Sequence, residues 1–136
     1  MTTTDDLNAA LSDPYVIAYP EASEFWLAAA QDRLLVKTCC RCQKAHWYPR
    51  VICPLCGSEE TEWREASGKG SVYSFSVIRR AETPYVLAYV RLDEGPVMMT
   101  NIVDCEFDAL RIGQAVQARF MQAAEGRLVP VFAPLD

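Results

Sequence analysis

Apolar residues are grouped in two ways along this chain. Between Pro20 and Asp32, the positions Ala22, Phe25, Trp26, Ala29 and Ala30, followed by Arg33, recur at the spacing of one helix face. Pro20 suits the first helical position, because its missing N–H would have no intrahelical partner there. The spacing predicts a helix over 20–32. Its Phe25-Trp26 pair is large for so short an element and must rest on the remainder of the chain or on a partner subunit. Upstream, Asp5, Asp6, Asn8, Ser12 and Asp13 fall in a stretch interrupted by Pro14 with no sustained period, which reads as an extended or partly helical arm over 1–19. Beyond Gly68 and Gly70 the pattern changes to short apolar runs at 72–78, 85–92, 97–103, 115–120 and 128–132. Five such runs fit a small antiparallel barrel. Asp93-Glu94-Gly95-Pro96 and Ala124-Glu125-Gly126-Arg127 supply hairpin turns, since Gly tolerates the positive φ these need.

Composition narrows the class. A chain of 136 residues accommodates one ordinary domain or two very small ones, and 51% hydrophobic with 23% charged residues is a globular balance. Thirteen Lys and Arg against 18 Asp and Glu leave a net charge of -5, a poor overall field for a polyanion. No run approaches the roughly 18 apolar residues of a membrane span. The start, Met1-Thr2-Thr3-Thr4-Asp5-Asp6, lacks the basic and apolar regions of a signal peptide, so a cytoplasmic location with no membrane partner is expected. In that reducing compartment six cysteines point to metal or reactive thiols rather than disulfides.

Four of those cysteines carry the strongest chemical signal. Cys39-x-x-Cys42 is followed, after ten residues, by Cys53-x-x-Cys56. Each pair has the spacing of a tight turn that aims both sulfurs at one point, and four thiolates make a closed tetrahedral zinc site. Gly57 after the last ligand suits the sharp bend at which amide N–H groups turn toward sulfur. A full thiolate set leaves no open position for water, so the zinc reads as structural; a four-thiolate iron site would use the same ligands, but the sequence offers no second redox centre. Cys40 beside a ligand reads as a spare thiol and Cys105 as a small packed hydrophobe. His46, the only histidine, lies between the knuckles and reads as a packed or surface imidazole rather than a ligand.

That inventory weighs against independent catalysis. A nucleophile needs a base and an orienting partner beside it, and one histidine inside a zinc loop is a poor base; no Gly-rich phosphate loop occurs either. A second class is open. Arg33, Lys37, Arg41, Lys44 and Arg50 succeed one another without an acidic residue, alongside Trp47 and Tyr48, as in surfaces that stack single-stranded nucleic acid. Four thiolates with one zinc ion carry about -2, however, and the basic residues also serve to compensate that charge.

Taken together, Phe25-Trp26, Cys39-x-x-Cys42, Pro49-Arg50, Cys53-Pro54-Leu55-Cys56-Gly57-Ser58, Trp63, Gly70-Ser71-Val72-Tyr73-Ser74-Phe75, Pro84-Tyr85 and Leu92-Asp93-Glu94-Gly95 resemble the acyl-CoA-associated family that joins a rubredoxin-like zinc ribbon to an OB-fold, formerly a domain of unknown function. The resemblance implies a mainly β chain divided into an N-terminal arm and helix at 1–34, a zinc ribbon at 35–65 and a five-stranded OB-fold barrel at 66–136. It implies a non-catalytic accessory subunit of a thiolase-superfamily enzyme (thiolase, acyltransferase or aldolase), held in a hetero-oligomer with a thiolase-like large subunit and helping to bind CoA or acyl-CoA. Three positions depart from the family pattern: Gln43 stands where a Gly usually follows the first knuckle, Tyr48 precedes Pro49-Arg50 in place of a first Pro, and Asp32 replaces a Gly after the helix. For the ligand, Arg79 and Arg80 end the first barrel strand, where guanidinium groups suit CoA phosphates. Tyr73 and Phe75, and likewise Tyr85 and Tyr89, fall at alternate positions, so each pair is expected on one face, as a ligand wall or as barrel filling.

Overall fold

Pro14 divides the arm. The computed structural model describes residues 4–135; Met1, Thr2, Thr3 and Asp136 lie outside the described residues, and with them the first three positions of the expected arm. From there the partly helical alternative holds, as two short helices, α1 (Thr4–Ser12) and α2 (Pro14–Ala18). Asp13 caps α2 by accepting the Tyr15 N–H at 2.7 Å, and Pro14 takes the first position, where a donor is not needed.

The helix expected over 20–32 is tighter at its start and shorter at its end. Pro20–Ala22 is a single 3-10 turn, and α3 spans Ser23–Ala29. It is closed by two backbone bonds, from the Arg33 N–H to the Ala28 carbonyl at 2.9 Å and from the Asp32 N–H to the Ala29 carbonyl at 3.0 Å, with Asp32 left-handed at φ 59°. This is a Schellman stop, the geometry that favours Gly at Asp32's position. Phe25 and Trp26 are both buried, so the chain itself provides their support. Phe25 packs edge-on to Trp26 at 4.8 Å and against Trp47 at 5.1 Å.

Two sheets follow. In the first, β1 (Leu35–Cys39) lies between β2 (Ala45–His46) and β3 (Thr61–Glu65), antiparallel to both. The second contains β4 (Lys69–Ile78), β5 (Tyr85–Leu92), β6 (Val97–Ile102), β7 (Ala115–Gln122) and β8 (Leu128–Pro134). It closes into a barrel in the order β4-β5-β6-β8-β7, with β7 returning to β4, a five-stranded OB-fold. The β6–β8 contact is parallel and the other pairings are antiparallel. Strict alternation on β5 sends Val86, Ala88, Val90 and Leu92 inward to meet Met98, Val116 and Phe132, while Tyr85, Leu87 and Tyr89 face out.

One expected pairing of side chains fails here. A β-bulge between Val72 and Ser74 inserts an extra residue, so Tyr73 is exposed while Phe75, opposite the buried Ala88, packs against the core. The bulge resets the alternation on β4, which is why Tyr73 and Phe75 do not share a face as Tyr85 and Tyr89 do.

The arm is fastened to the barrel at the β7–β8 turn. Gly126, at φ 128°, lies so close to α1 that a Cβ there would come within 2.9 Å of the Ala9 carbonyl oxygen. Next to it, Arg127 spreads over the Tyr15 ring at 4.7 Å and the Trp26 ring at 5.1 Å and pairs with the buried Asp13 carboxylate at 3.1 Å. Among the described residues no helix is long and apolar enough to cross a membrane.

Candidate metal centre and barrel face

The two knuckles hang from the ribbon so that their sulfurs converge. The Sγ atoms of Cys39, Cys42, Cys53 and Cys56 all lie within 4.8 Å of one another, with Cys39 to Cys56 at 3.5 Å and Cys42 to Cys53 at 3.8 Å. Four sulfurs bound tetrahedrally at about 2.3 Å from one zinc stand about 3.8 Å apart, so the set fits the ion. Both knuckles aim amide donors at sulfur. Arg41 and Cys42 donate to Cys39 at 3.3 and 3.4 Å, and Leu55 donates to Cys53 at 3.4 Å. The turns are closed by Gln43 N–H to the Cys39 carbonyl at 3.0 Å and Gly57 N–H to the Cys53 carbonyl at 2.9 Å.

The electrostatics of the cluster call for a cation. The Cys42 and Arg41 N–H groups hold the Cys39 thiol down at about 6 against the effect of its burial. Cys56 moves the other way: the Ser58 N–H lowers its pKa, but the neighbouring sulfurs and burial outweigh that and push it up to about 11. Four thiols crowded together cannot all ionise unaided, whereas a divalent ion lets every one of them do so.

The last residue of each knuckle is left-handed, Gly57 at φ 80° and Gln43 at φ 65°. Gln43 carries a Cβ into a conformation that costs L-residues about 1–2 kcal/mol. Its side chain recovers part of this through a bond from Nε2 to the exposed Cys40 carbonyl. Gln43→Gly is therefore expected to raise stability by about 1 kcal/mol, read from denaturant midpoints of the metal-loaded protein; an unchanged or lower midpoint would refute it.

Other polar groups singled out in the sequence sit apart from this cluster. Cys40 is exposed and its thiol turns to Glu62. Cys105 is half-buried against the core, as a small hydrophobe would be. His46 is packed at 4% exposure; its Nε2 accepts the Arg50 N–H at 3.2 Å, and burial keeps its pKa below the usual value. The bond ties down the loop that leads to Arg50, a positioning role that the sequence does not reveal.

The barrel candidates are scattered. Arg79 pairs with Asp108 at 3.2 Å and lies over Phe107, and Arg80 is exposed in the β4–β5 loop. Tyr73 stands under the Arg91 guanidinium at 4.9 Å. Tyr85 joins Leu87, Asn101, Val103 and Met121 in an open groove of 630 Å³ on the outside of the barrel, most of it apolar. Met121 was absent from the sequence candidates because only strand pairing brings β7 near β5 across β6 and β8, whereas Leu87, also absent, lies two residues from Tyr85 on the same face of β5 and was open to alternation.

Known proteins place this architecture. Residues 26–62 match the family model for the rubredoxin-like zinc ribbon domain of ChsH2, and residues 63–121 match the model for the ChsH2 C-terminal OB-fold domain. A DUF35 domain-containing scaffold protein of Methanothermobacter thermautotrophicus is 36% identical over 94 residues, covering 64% of this chain and 71% of the relative. The chain belongs to the DUF35 family. A DUF35 chain in the solved structure titled "Ltp2-ChsH2(DUF35) aldolase" superposes with a TM-score of 0.73 at 35% identity, covering 84% of this chain and 94% of that one. A Thermomonospora curvata protein named "Probable enoyl-CoA hydratase alpha subunit" is 38% identical over 116 residues, 81% of this chain; this DUF35 chain spans only 36% of that relative's length. The four-cysteine cluster of this DUF35 protein is thus the zinc site of a ribbon of known type.

Proposed function

We propose that this protein is a non-catalytic accessory subunit of a thiolase-superfamily enzyme, in which structural zinc shapes a docking ribbon and the OB-fold barrel contributes to acyl-CoA binding. The observation that carries the reading is the likeness, at 35% identity over 94% of its length, to the DUF35 chain of an Ltp2-ChsH2 aldolase. The chemistry of the chain supports it. Its metal set is closed by four thiolates, and its one histidine is packed and bonded within the ribbon. On the barrel, Tyr85 and its groove supply an apolar wall suited to an acyl chain, with Arg79 and Arg80 at the adjoining loop.

The single-stranded nucleic-acid alternative draws less support. Of its basic residues, Arg33 is paired with Glu65 at 2.9 Å and Lys37 lies over Trp63 at 4.6 Å.

A pull-down of the tagged protein from its native host tests the proposal. The expected result is a stoichiometric thiolase-like subunit. Recovery of RNA, or of replication proteins, with no thiolase-like subunit would overturn it.

A further inference from the structure

We infer that a tyrosine-lined pocket where the N-terminal arm meets the ribbon takes the adenine-nucleotide end of acyl-CoA, an inference that rests on the acyl-CoA reading above. The pocket has a volume of 380 Å³ and is lined chiefly by Tyr15, Tyr19, Tyr48, Glu21 and Arg50. That volume lies within the roughly 300–1,000 Å³ of small-molecule sites. Two elements far apart in sequence build it. Tyr15 and Tyr19 come from the arm, their rings 4.9 Å apart, and Tyr48 comes from the ribbon loop, its hydroxyl 3.1 Å from that of Tyr15.

The lining selects the ligand. Tyr19 is 48% exposed and offers a ring face on which a planar base can stack. The Glu21 carboxylate accepts hydrogen bonds, as the 6-amino group of adenine requires. The Arg50 guanidinium lies over the Tyr48 ring at 5.5 Å, and neither it nor Glu21 has an ion-pair partner among the described residues. Its free donors suit a phosphate. A cationic ligand, the other common occupant of aromatic pockets, is disfavoured because Arg50 already occupies one ring face with positive charge. A planar base with an amino donor and an anionic tail matches all three wall chemistries.

Neighbouring clefts extend the match. Trp47 meets Tyr48 edge-on at 5.3 Å and lines a second cleft of 260 Å³ together with Thr100, Asn101 and Val131. Asn101 donates its amide to the Val86 carbonyl at 3.0 Å, which leaves its side-chain oxygen to accept an amide N–H such as pantetheine presents. Asn101, Val129 and Val131 also line the apolar groove that contains Leu87 and Met121. The sequence of surfaces, aromatic and charged, then amide-bearing, then apolar, is the order of groups along acyl-CoA.

Calorimetric titration of the full, zinc-loaded chain with adenosine 3′,5′-bisphosphate tests the site without the partner. Saturable binding is expected, weakened about tenfold by Tyr19→Ala through lost stacking and about tenfold by Arg50→Gln through a lost charge-assisted bond. Glu21→Gln is a third variant of an exposed side chain, with zinc content and circular dichroism verifying that each is folded. Arg111→Gln, at an exposed side chain that lines none of these clefts, is expected to bind unchanged. The inference is overturned by an absence of saturable binding, by binding indifferent to the pocket variants, or by loss in the Arg111 variant. It is equally overturned if oligo-dA binds far more tightly than the bisphosphate with a steep salt dependence, which would mark a strand rather than a cofactor. A chain that captures its thiolase-like partner yet fails this titration loses the nucleotide site and keeps the accessory role; the converse pair of results separates them the other way.

Discussion

Cys53→Ser is expected to cost the protein its metal and, with it, the folded ribbon and the capture of any partner that docks there. Beyond β1 and Trp47, which reach the core, the knuckle end of the ribbon has little else to hold it. Its β2 is two residues long, β3 is half-exposed along its length, and Val51, Ile52 and Leu55 at its tip face solvent. Structural zinc supplies an apparent roughly 10–16 kcal/mol of folding free energy in small modules of this type, far more than a few apolar contacts provide. Cys53 is itself buried at the centre of the cluster, so its loss leaves three sulfurs around an incomplete shell. Metal analysis should fall from one zinc per chain to none, and the near-ultraviolet signal of Trp47 and Trp63 should collapse. Cys40→Ser is the matched control and should retain both, since that thiol points to Glu62. A Cys53→Ser protein that keeps its zinc and still captures a partner would refute the structural role of the site.

The second large effect lies at the other end of the molecule. Asp13→Ala is expected to destabilise the protein by about 3–5 kcal/mol, because it removes the buried counter-ion of a largely buried Arg127 and leaves that guanidinium only the solvent-exposed Glu125 carboxylate at 3.3 Å. The Asp13 side chain is fully buried and accepts bonds from the Tyr15 N–H at 2.7 Å, the Arg127 N–H at 3.0 Å and the Arg127 guanidinium at 3.1 Å. In a chain of this size such a loss lowers the melting temperature by roughly 10–20 °C. The pH dependence has a definite sign. Burial acts to raise the Asp13 pKa, but the Arg127 and Tyr15 N–H groups and the Arg127 charge outweigh it and hold it below the ordinary 3.8. A depressed carboxylate stabilises fully above its unfolded value and loses that contribution as pH falls through the folded one. Denaturant curves should therefore show a constant gap between wild type and Asp13→Ala from pH 5 to 8 that narrows below about pH 4. A gap that is small at pH 7, or that widens in acid, would count against the clasp.

Much of this was open to reading along the chain. The run at 85–92 coincides with β5, and the hairpin turns at Gly95 and Gly126 stand where Gly predicted them, because alternation and turn chemistry are local properties. The zinc site was equally legible, since two Cys-x-x-Cys turns each bring their sulfurs together within four residues. Gln43 and Asp32, two of the three departures from the family pattern, both proved to be left-handed, so the missing glycines marked real backbone positions. The bulge on β4 was not legible. It depends on how β4 registers against β5, and nothing within Tyr73-Ser74-Phe75 announces an unpaired residue.

Local spacing dictates the helix-forming segment before the ribbon, the four-thiolate cluster, the five barrel strands and the predominance of β structure. Relations between segments far apart in the chain arise only on folding. Asp13 and Arg127 are separated by 114 positions and Tyr15 and Tyr48 by 33. Each such pair forms because α1 and α2 fold back over the β7–β8 turn and the ribbon loop. Their attraction is cooperative with the burial of Trp26 and Phe25, and burial of that kind is a property of the whole packed core that no single stretch of residues encodes.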